Sequence, residues 1–201
     1  MPPSATPIRQ QTRAVVRSLL AQTAMRLFAE RGYDRTTVED VAAAAGVSRR
    51  TLFNYFRTKE DLALSSLSEQ GEAIADRFAE RPADEDLWES FGHAFAVLDE
   101  IPTTRENRLE LLDLLFGHEA LRAGFAEKGA RWTDLLAPLV AARMPASPTR
   151  DFEARAVAAT AVSCLQISTE EWLRQRGATA PPVLFDQAVA AVRGRQRGAG
   201  A

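Results

Sequence analysis

The stretch from Thr37 to Asp61 constrains this chain more than any other, because three helix starts and a glycine stop are packed into it. Thr37 is an N-cap residue type whose hydroxyl can accept from the backbone N–H of Asp40, and the acids Glu39 and Asp40 oppose the positive end of the helix dipole. A helix is therefore expected from Val38. Val38, Val41, Ala42 and Ala45 recur at i, i+3, i+4 and i+7, and the alanines leave room for a second helix to pack closely. Gly46 ends this helix, since glycine accepts the left-handed backbone of a tight C-terminal turn. Ser48 is the next N-cap, with Val47 and Leu52 as a hydrophobic staple, so the second helix starts at Arg49. Leu52 and Phe56 lie one turn apart and point inward, which leaves Arg49, Arg50, Thr51, Asn54 and Tyr55 on the outside face. A third start follows at Thr58, with Asp61 three residues after the cap and Lys59 on the first turn, where its charge opposes the local dipole and suggests an external anion.

Two short helices around a glycine turn, the second one cationic, form a layout suited to double-stranded DNA. An α-helix fits the major groove, where Arg pairs bidentately with guanine O6 and N7 and Asn with adenine N6 and N7. Arg49, Arg50 and Asn54 are thus the candidate base readers, with neither arginine assigned to a base. Thr51 can offer its methyl to thymine or its hydroxyl to phosphate, while Thr37, Tyr55 and Lys59 are candidate backbone contacts that set register. The reading requires the guanidinium groups to stand clear of the subunit, unpaired by carboxylates. A recognition helix of about seven residues reads only a few base pairs, so useful specificity calls for two modules on a palindromic operator, that is, a homodimer.

Residues Leu27 to Leu62, LFAERGYDRTTVEDVAAAAGVSRRTLFNYFRTKEDL, resemble the TetR family of transcription regulators without a gap. Phe53 stands where many members have tyrosine, and Asn54 occupies a position that the family varies. The resemblance implies an all-α fold with an N-terminal three-helix, helix-turn-helix DNA-binding domain and a C-terminal helical domain for effector binding and dimerisation. It implies DNA contacts at the positions named above, pairing through the last two helices as a four-helix bundle, and an effector cavity among the central helices. Beyond the first third of the chain the resemblance is one of length, helicity and amphipathic pattern.

Charge is divided unevenly along the chain. Residues 1–62 hold ten Lys and Arg against six Asp and Glu, whereas residues 63–201 hold fifteen against twenty-one. Only the N-terminal end therefore suits a polyanion. One cysteine, Cys164, excludes an intramolecular disulfide and fits a reducing compartment. No apolar run approaches the ~20 residues of a membrane span and no signal-peptide pattern precedes the first helix, so a cytoplasmic protein without membrane contact is expected.

The remaining helices follow from proline, glycine and cap residues. Residues 1–8 read as a tail and residues 9–57 as the DNA-binding domain, with helix 1 running from near Arg9 to Gly32 and Val16, Leu20, Thr23, Leu27 and Phe28 on one side. Arg9 or Arg13 can reach a neighbouring minor groove as an arm or end the helix in solvent, the latter being favoured, and neither is assigned. Residues 58–194 form the second domain. A single long helix is expected from Thr58 to about Arg81, then one from an Asp84 cap to about Glu100 and one from Thr103 or Thr104 to Gly117. Three more are expected over about 119–144, 150–176 and 182–193, giving about nine in all, before a Gly-rich tail at 195–201.

The central helices carry Phe78, Trp88, Phe91, Phe95, Phe116 and Trp132, which can line a cavity for an unknown small apolar or amphipathic effector or form a dry core. His93 and His118 are read as surface or satisfied core groups. Ala156, Val157, Thr160, Ala161, Cys164 and Ile167, with Phe185, Ala188, Val189 and Val192, form two stripes suited to the dimer interface or to burial within one subunit. An enzyme is disfavoured: two histidines and one cysteine lie far apart, with no HExxH, CxxC, phosphate-loop or dinucleotide pattern, and no cofactor is expected. A dimeric small-molecule carrier that has ceased to read DNA is the remaining rival, and no residue pattern speaks for it.

Overall fold

The computed structural model describes residues 8–101 and 103–194. Of the tails expected at residues 1–8 and 195–201, residues 1–7 and 195–201 lie outside the described residues, as does Pro102 as a helix stop, while Ile8 opens the first helix. Among the described residues there are ten α-helices and no strand.

Two compact units are present, the first comprising Met1–Ser66 with Leu114–Gly124 and the second Leu67–Asp113 with Phe125–Ala201. In the first unit, α1 (Ile8–Arg31), α2 (Val38–Ala44), α3 (Arg49–Phe53) and α4 (Lys59–Ala63) pack so that α1 meets α2 and α4 while α2 meets α3. The starts occur where cap chemistry places them. Thr37 Oγ1 accepts from Asp40 N at 3.1 Å, Ser48 Oγ from Thr51 N at 3.0 Å and Thr58 Oγ1 from Asp61 N at 3.0 Å. Gly32 and Gly46 have φ of 87° and 68°, the left-handed turns that end α1 and follow α2. Leu20, Leu27, Phe28, Val41, Leu52, Phe56, Leu62 and Leu121 are buried together in this unit's core. Each such side chain stabilises the fold by roughly 1.5–3 kcal/mol before entropy is counted. Val16 and Thr23, expected on the same side, are half-buried.

The long helix expected from Thr58 is two helices. α4 stops at Ala63, Leu64 takes φ −95° and ψ 6°, and α5 begins at Ser65 and ends at Ala79. Ser65 donates its hydroxyl to the Leu62 carbonyl at 3.0 Å, a local bond that competes with the helical ladder. This break makes ten helices where nine were expected. α4 lies within the first unit, which runs to Ser66.

In the second unit, α6 (Leu87–Phe95) starts two residues later than expected, because Asp86 rather than Asp84 caps it by accepting from Trp88 N at 2.8 Å and Glu89 N at 3.3 Å. A single 3-10 turn, Ala96–Leu98, follows. α7 (Arg105–Gly117) is capped by Thr104, which accepts from Asn107 N at 3.2 Å. α8 (Glu119–Ala142), like α7, contributes residues to both units. α9 (Arg150–Arg174) ends short of Arg176, since Arg176 and Gly177 take left-handed φ values of 52° and 74°. α10 (Pro181–Gly194) packs against α9, and α6 packs against both.

Candidate nucleic-acid interface

The face of α3 left uncovered carries the residues singled out for DNA. Leu52 and Phe56 are buried, whereas Arg49, Arg50, Phe53 and Asn54 are exposed and Thr51 and Tyr55 half-buried. α3 has five helical residues, fewer than the roughly seven expected, and Asn54 forms its C-cap. Its orphaned carbonyls are held by α1. Arg13 Nη2 donates to the Asn54 carbonyl at 2.9 Å, and Arg17 Nη1 to the Tyr55 carbonyl at 3.0 Å. The Arg13 guanidinium also lies 5.3 Å from the Tyr55 ring centroid and that of Arg17 4.7 Å from the Phe56 ring centroid. Arg13, unassigned from sequence, thus holds the end of α3. The available signal was a pair of arginines four residues apart facing a helix too short to satisfy its own C-terminus.

The two arginines of α3 differ in their surroundings. Arg49 Nε lies 2.8 Å from Glu39 Oε1, with the two side chains 65% and 52% exposed, and its guanidinium sits 5.3 Å from the centroid of the Phe53 ring. The expectation that both guanidiniums stand unpaired therefore fails at Arg49. The pair is solvent-exposed and so worth only about 0–1 kcal/mol. Among the described residues, no hydrogen bond or ion pair engages the Arg50 side chain. Glu39 lies on the first turn of α2, where it opposes the dipole, and only packing brings it to α3.

Thr37 is exposed at the start of α2, where its hydroxyl also donates to Asp40 Oδ2 at 2.7 Å and its backbone N–H donates to the same oxygen at 2.8 Å. These bonds from Thr37 hold the Asp40 carboxyl below its usual range. Thr51 shares a 2.8 Å hydrogen bond with Ser48 Oγ. The Lys59 ammonium donates to the Tyr33 carbonyl at 2.5 Å, which occupies one of its three donors within the unit without neutralising its charge. The Tyr33 hydroxyl donates to Glu60 Oε1 at 3.0 Å, and burial, reinforced by Glu60, pushes the tyrosine's pKa up.

The six residues expected around an effector do not share one unit. Phe116 falls in Leu114–Gly124 of the first unit and the other five in the second. Phe78, Phe91 and Phe95 are buried and lie ring against ring, with centroids 4.8 Å apart for Phe78–Phe91 and 5.8 Å for Phe91–Phe95, while half-buried Trp88 stands 6.0 Å from Phe91. Phe185 of α10 closes on Phe95 at 5.3 Å. Trp132 is buried beside Gly71, where a Cβ would come within 2.3 Å of the indole. His93 Nδ1 lies 3.5 Å from Glu85, and His118 Nδ1 lies 3.7 Å from Asp34.

The two stripes on α9 and α10 divide between inside and outside. Ala161, Cys164, Phe185 and Val189 are buried in the chain's own core. Val157, Thr160 and Ala188 are half-buried, and Ala156 is exposed, as are Ile167 at 61% and Val192 at 44%. Phe152, at 76% exposure, extends the outward side of α9 by one turn below Ala156. No helix among the described residues is long and apolar enough to cross a membrane.

Residues 20–65 match the family model for bacterial regulatory proteins of the tetR family, and residues 85–196 match the model of the MftR C-terminal domain. The chain is 31% identical over 180 residues to the HTH-type transcriptional regulator TcmR of Streptomyces glaucescens, covering 85% of this chain and 78% of that protein. It is 30% identical over 158 residues to the putative mycofactocin biosynthesis transcriptional regulator MftR of Mycobacterium tuberculosis, covering 77% and 78%. Among solved structures, a putative tetR-family regulator from Mesorhizobium loti superposes with a TM-score of 0.59 at 21% identity, covering 90% of this chain and 95% of that one. Thermus thermophilus FadR, a repressor solved in complex with lauroyl-CoA, gives 0.55 at 24% identity, covering 86% and 91%. These two share the fold. With both family models matched and a curated relative aligned over most of its length, the chain belongs to the TetR family of DNA-binding transcriptional regulators and is not an enzyme.

Proposed function

We propose that the protein is a homodimeric repressor that binds a palindromic operator through α3 and leaves it when a small apolar or amphipathic effector binds. The observation that carries this reading is the outward face of α3: Arg50 and Asn54 stand exposed while Leu52 and Phe56 anchor the helix from behind. Arg50, Asn54 and Arg49 then meet base edges, with Thr37, Thr51 and Tyr55 supplying contacts to the phosphate backbone. A five-residue helix reads few base pairs, so two copies on one palindrome provide the specificity. The exposed apolar side of α9, with Phe152, Ala156 and Ile167, together with exposed Val183 on α10, supports pairing through these helices. Acting on DNA, the protein works in the cytoplasm.

Relief of repression requires an effector with different affinity for the DNA-competent and DNA-incompetent forms. The aromatic cluster of the second unit favours an apolar or amphipathic effector, and the fold-mate solved with lauroyl-CoA is an instance of that chemistry in this fold. A coupling of about 2.7 kcal/mol suffices for a ~10²-fold change in operator affinity.

The test is a mobility shift with duplexes flanking the gene, at several salt concentrations. Tight binding to one inverted repeat, with affinity falling steeply as salt rises, is the expected result. A protein that binds no duplex in preference to random DNA is a carrier instead, and the proposal fails.

A further inference from the structure

We propose that Glu39 is a specificity-determining positioning residue, which holds Arg49 so that its free edge selects a guanine. The inference rests on the proposed role of α3 in reading DNA and goes beyond it by separating two arginines that sequence leaves equivalent.

Arg49 is held from two sides. Glu39 Oε1, reaching across from α2, lies 2.8 Å from Nε, and the Phe53 ring one turn along α3 lies 5.3 Å from the guanidinium carbon. Guanine is read by two parallel N–H groups directed at O6 and N7. With the Glu39 carboxylate lying beside Nε, the Nη1 and Nη2 edge remains for that purpose. A long flexible side chain ordinarily loses rotamer freedom when it binds, and one already biased toward one rotamer by a carboxylate and a ring loses less.

The charge of Glu39 also decides what Arg49 will meet. A carboxylate beside the guanidinium repels phosphate oxygens, which are anionic, more than it repels the neutral edge of a base. Arg49 is therefore directed to a base and away from the backbone. Arg50 has no such neighbour: it is exposed, and among the described residues no ion pair or hydrogen bond engages its side chain. Its full charge attracts any DNA. Phe53, 40% exposed, also brings an apolar ring to a position from which it cannot donate to phosphate.

Base preference is read by selecting duplexes from a randomised pool with the full-length protein and its variants. Arg49→Ala is expected to lower the preference for guanine at one position of each half-site by about tenfold. Glu39→Gln is expected to flatten preference at that same position while binding to random DNA stays equal or rises. Arg50→Ala weakens binding but leaves that guanine preferred, and the double variant Glu39→Gln with Arg49→Ala loses no more selectivity than Arg49→Ala. None of these substitutions removes a group of the Thr37–Asp40 cap, and thermal melting checks that the fold persists. The proposal is overturned if Glu39→Gln keeps the wild-type preference at every position, changes all duplexes by one common factor, or alters a position other than that of Arg49→Ala. A wild-type protein that enriches no sequence at all overturns the reading of α3 itself, and this inference with it.

Discussion

The Lys59 ammonium donates to the Tyr33 carbonyl at 2.5 Å and lies 3.9 Å from the centroid of the same tyrosine's ring. One side chain thereby satisfies the carbonyl of a loop residue and covers its aromatic face, tying the first turn of α4 to the turn after α1. This internal acceptor offsets the unfavourable placement of a cation on the first turn of α4.

Replacing Lys59 by Met keeps the aliphatic stem and removes the donor. A charged hydrogen bond of this kind contributes about 1.5–3 kcal/mol when intact, and partial solvation reduces that, so Lys59→Met is expected to cost about 1–2 kcal/mol in urea unfolding. Its effect on operator affinity is expected to be smaller than that of Arg50→Ala. An unchanged unfolding midpoint together with a uniform loss of DNA affinity would mean that the side chain turns out to meet phosphate.

Acid should weaken the α5–α6 connection through Glu85. The Arg81 guanidinium, then the Ser90 hydroxyl, hold the Glu85 carboxyl at about 2, against an ordinary value of 4.5. Its folded pKa is depressed, so the stability it contributes is fully present above 4.5 and is lost as pH falls through about 2. Glu85→Gln is expected to flatten that part of the stability–pH profile. Matching profiles for the variant and the parent across this window would remove Glu85 as the cause.

Gly71 is the point at which α5 approaches Trp132 of α8. A Cβ there would lie 2.3 Å from indole Cδ1 and 2.4 Å from Nε1, so a methyl forces the indole or the helix to move. Gly71→Ala is expected to destabilise by about 1–3 kcal/mol, despite alanine's better helix propensity, and Trp132→Leu in the same chain should recover part of that loss. Chemical denaturation measures both. A Gly71→Ala variant as stable as the parent contradicts the close contact.

If α9 and α10 form the dimer surface, a charge on their exposed side should separate the subunits. Ile167→Glu, at a position 61% exposed, is expected to change monomer stability by less than about 0.5 kcal/mol while shifting sedimentation from dimer to monomer and reducing operator affinity. A dimer unaffected by Ile167→Glu and Phe152→Glu together places the interface elsewhere.

Much of the first unit was legible because its signals are local. Thr37, Ser48 and Thr58 cap the helices that they were expected to cap, and Gly46 takes the left-handed turn, since each depends on the chemistry of a few adjacent residues. Where two local signals competed, proximity in sequence did not decide between them. Asp84 and Asp86 are both plausible caps, and only Asp86 meets the free N–H groups of Trp88 and Glu89. The break at Leu64 was hidden for a related reason, because a serine hydroxyl can leave a helix intact or bond its own preceding turn, as Ser65 does with Leu62.

Sequence alone determined that this chain is helical, where its N-terminal helices begin, and which face of α3 looks outward, because caps, glycine turns and 3.6-residue periodicity act within one or two turns. Tertiary structure decided which partners the charged side chains take: Arg49 with Glu39, Lys59 with Tyr33, and Arg13 and Arg17 with the end of α3. It also decided which apolar stripe residues on α9 and α10 are spent on the chain's own core and which remain outside. Long polar side chains reach several ångströms in many directions, and a helix can bury more than one face, so these choices are settled only when distant segments are packed together.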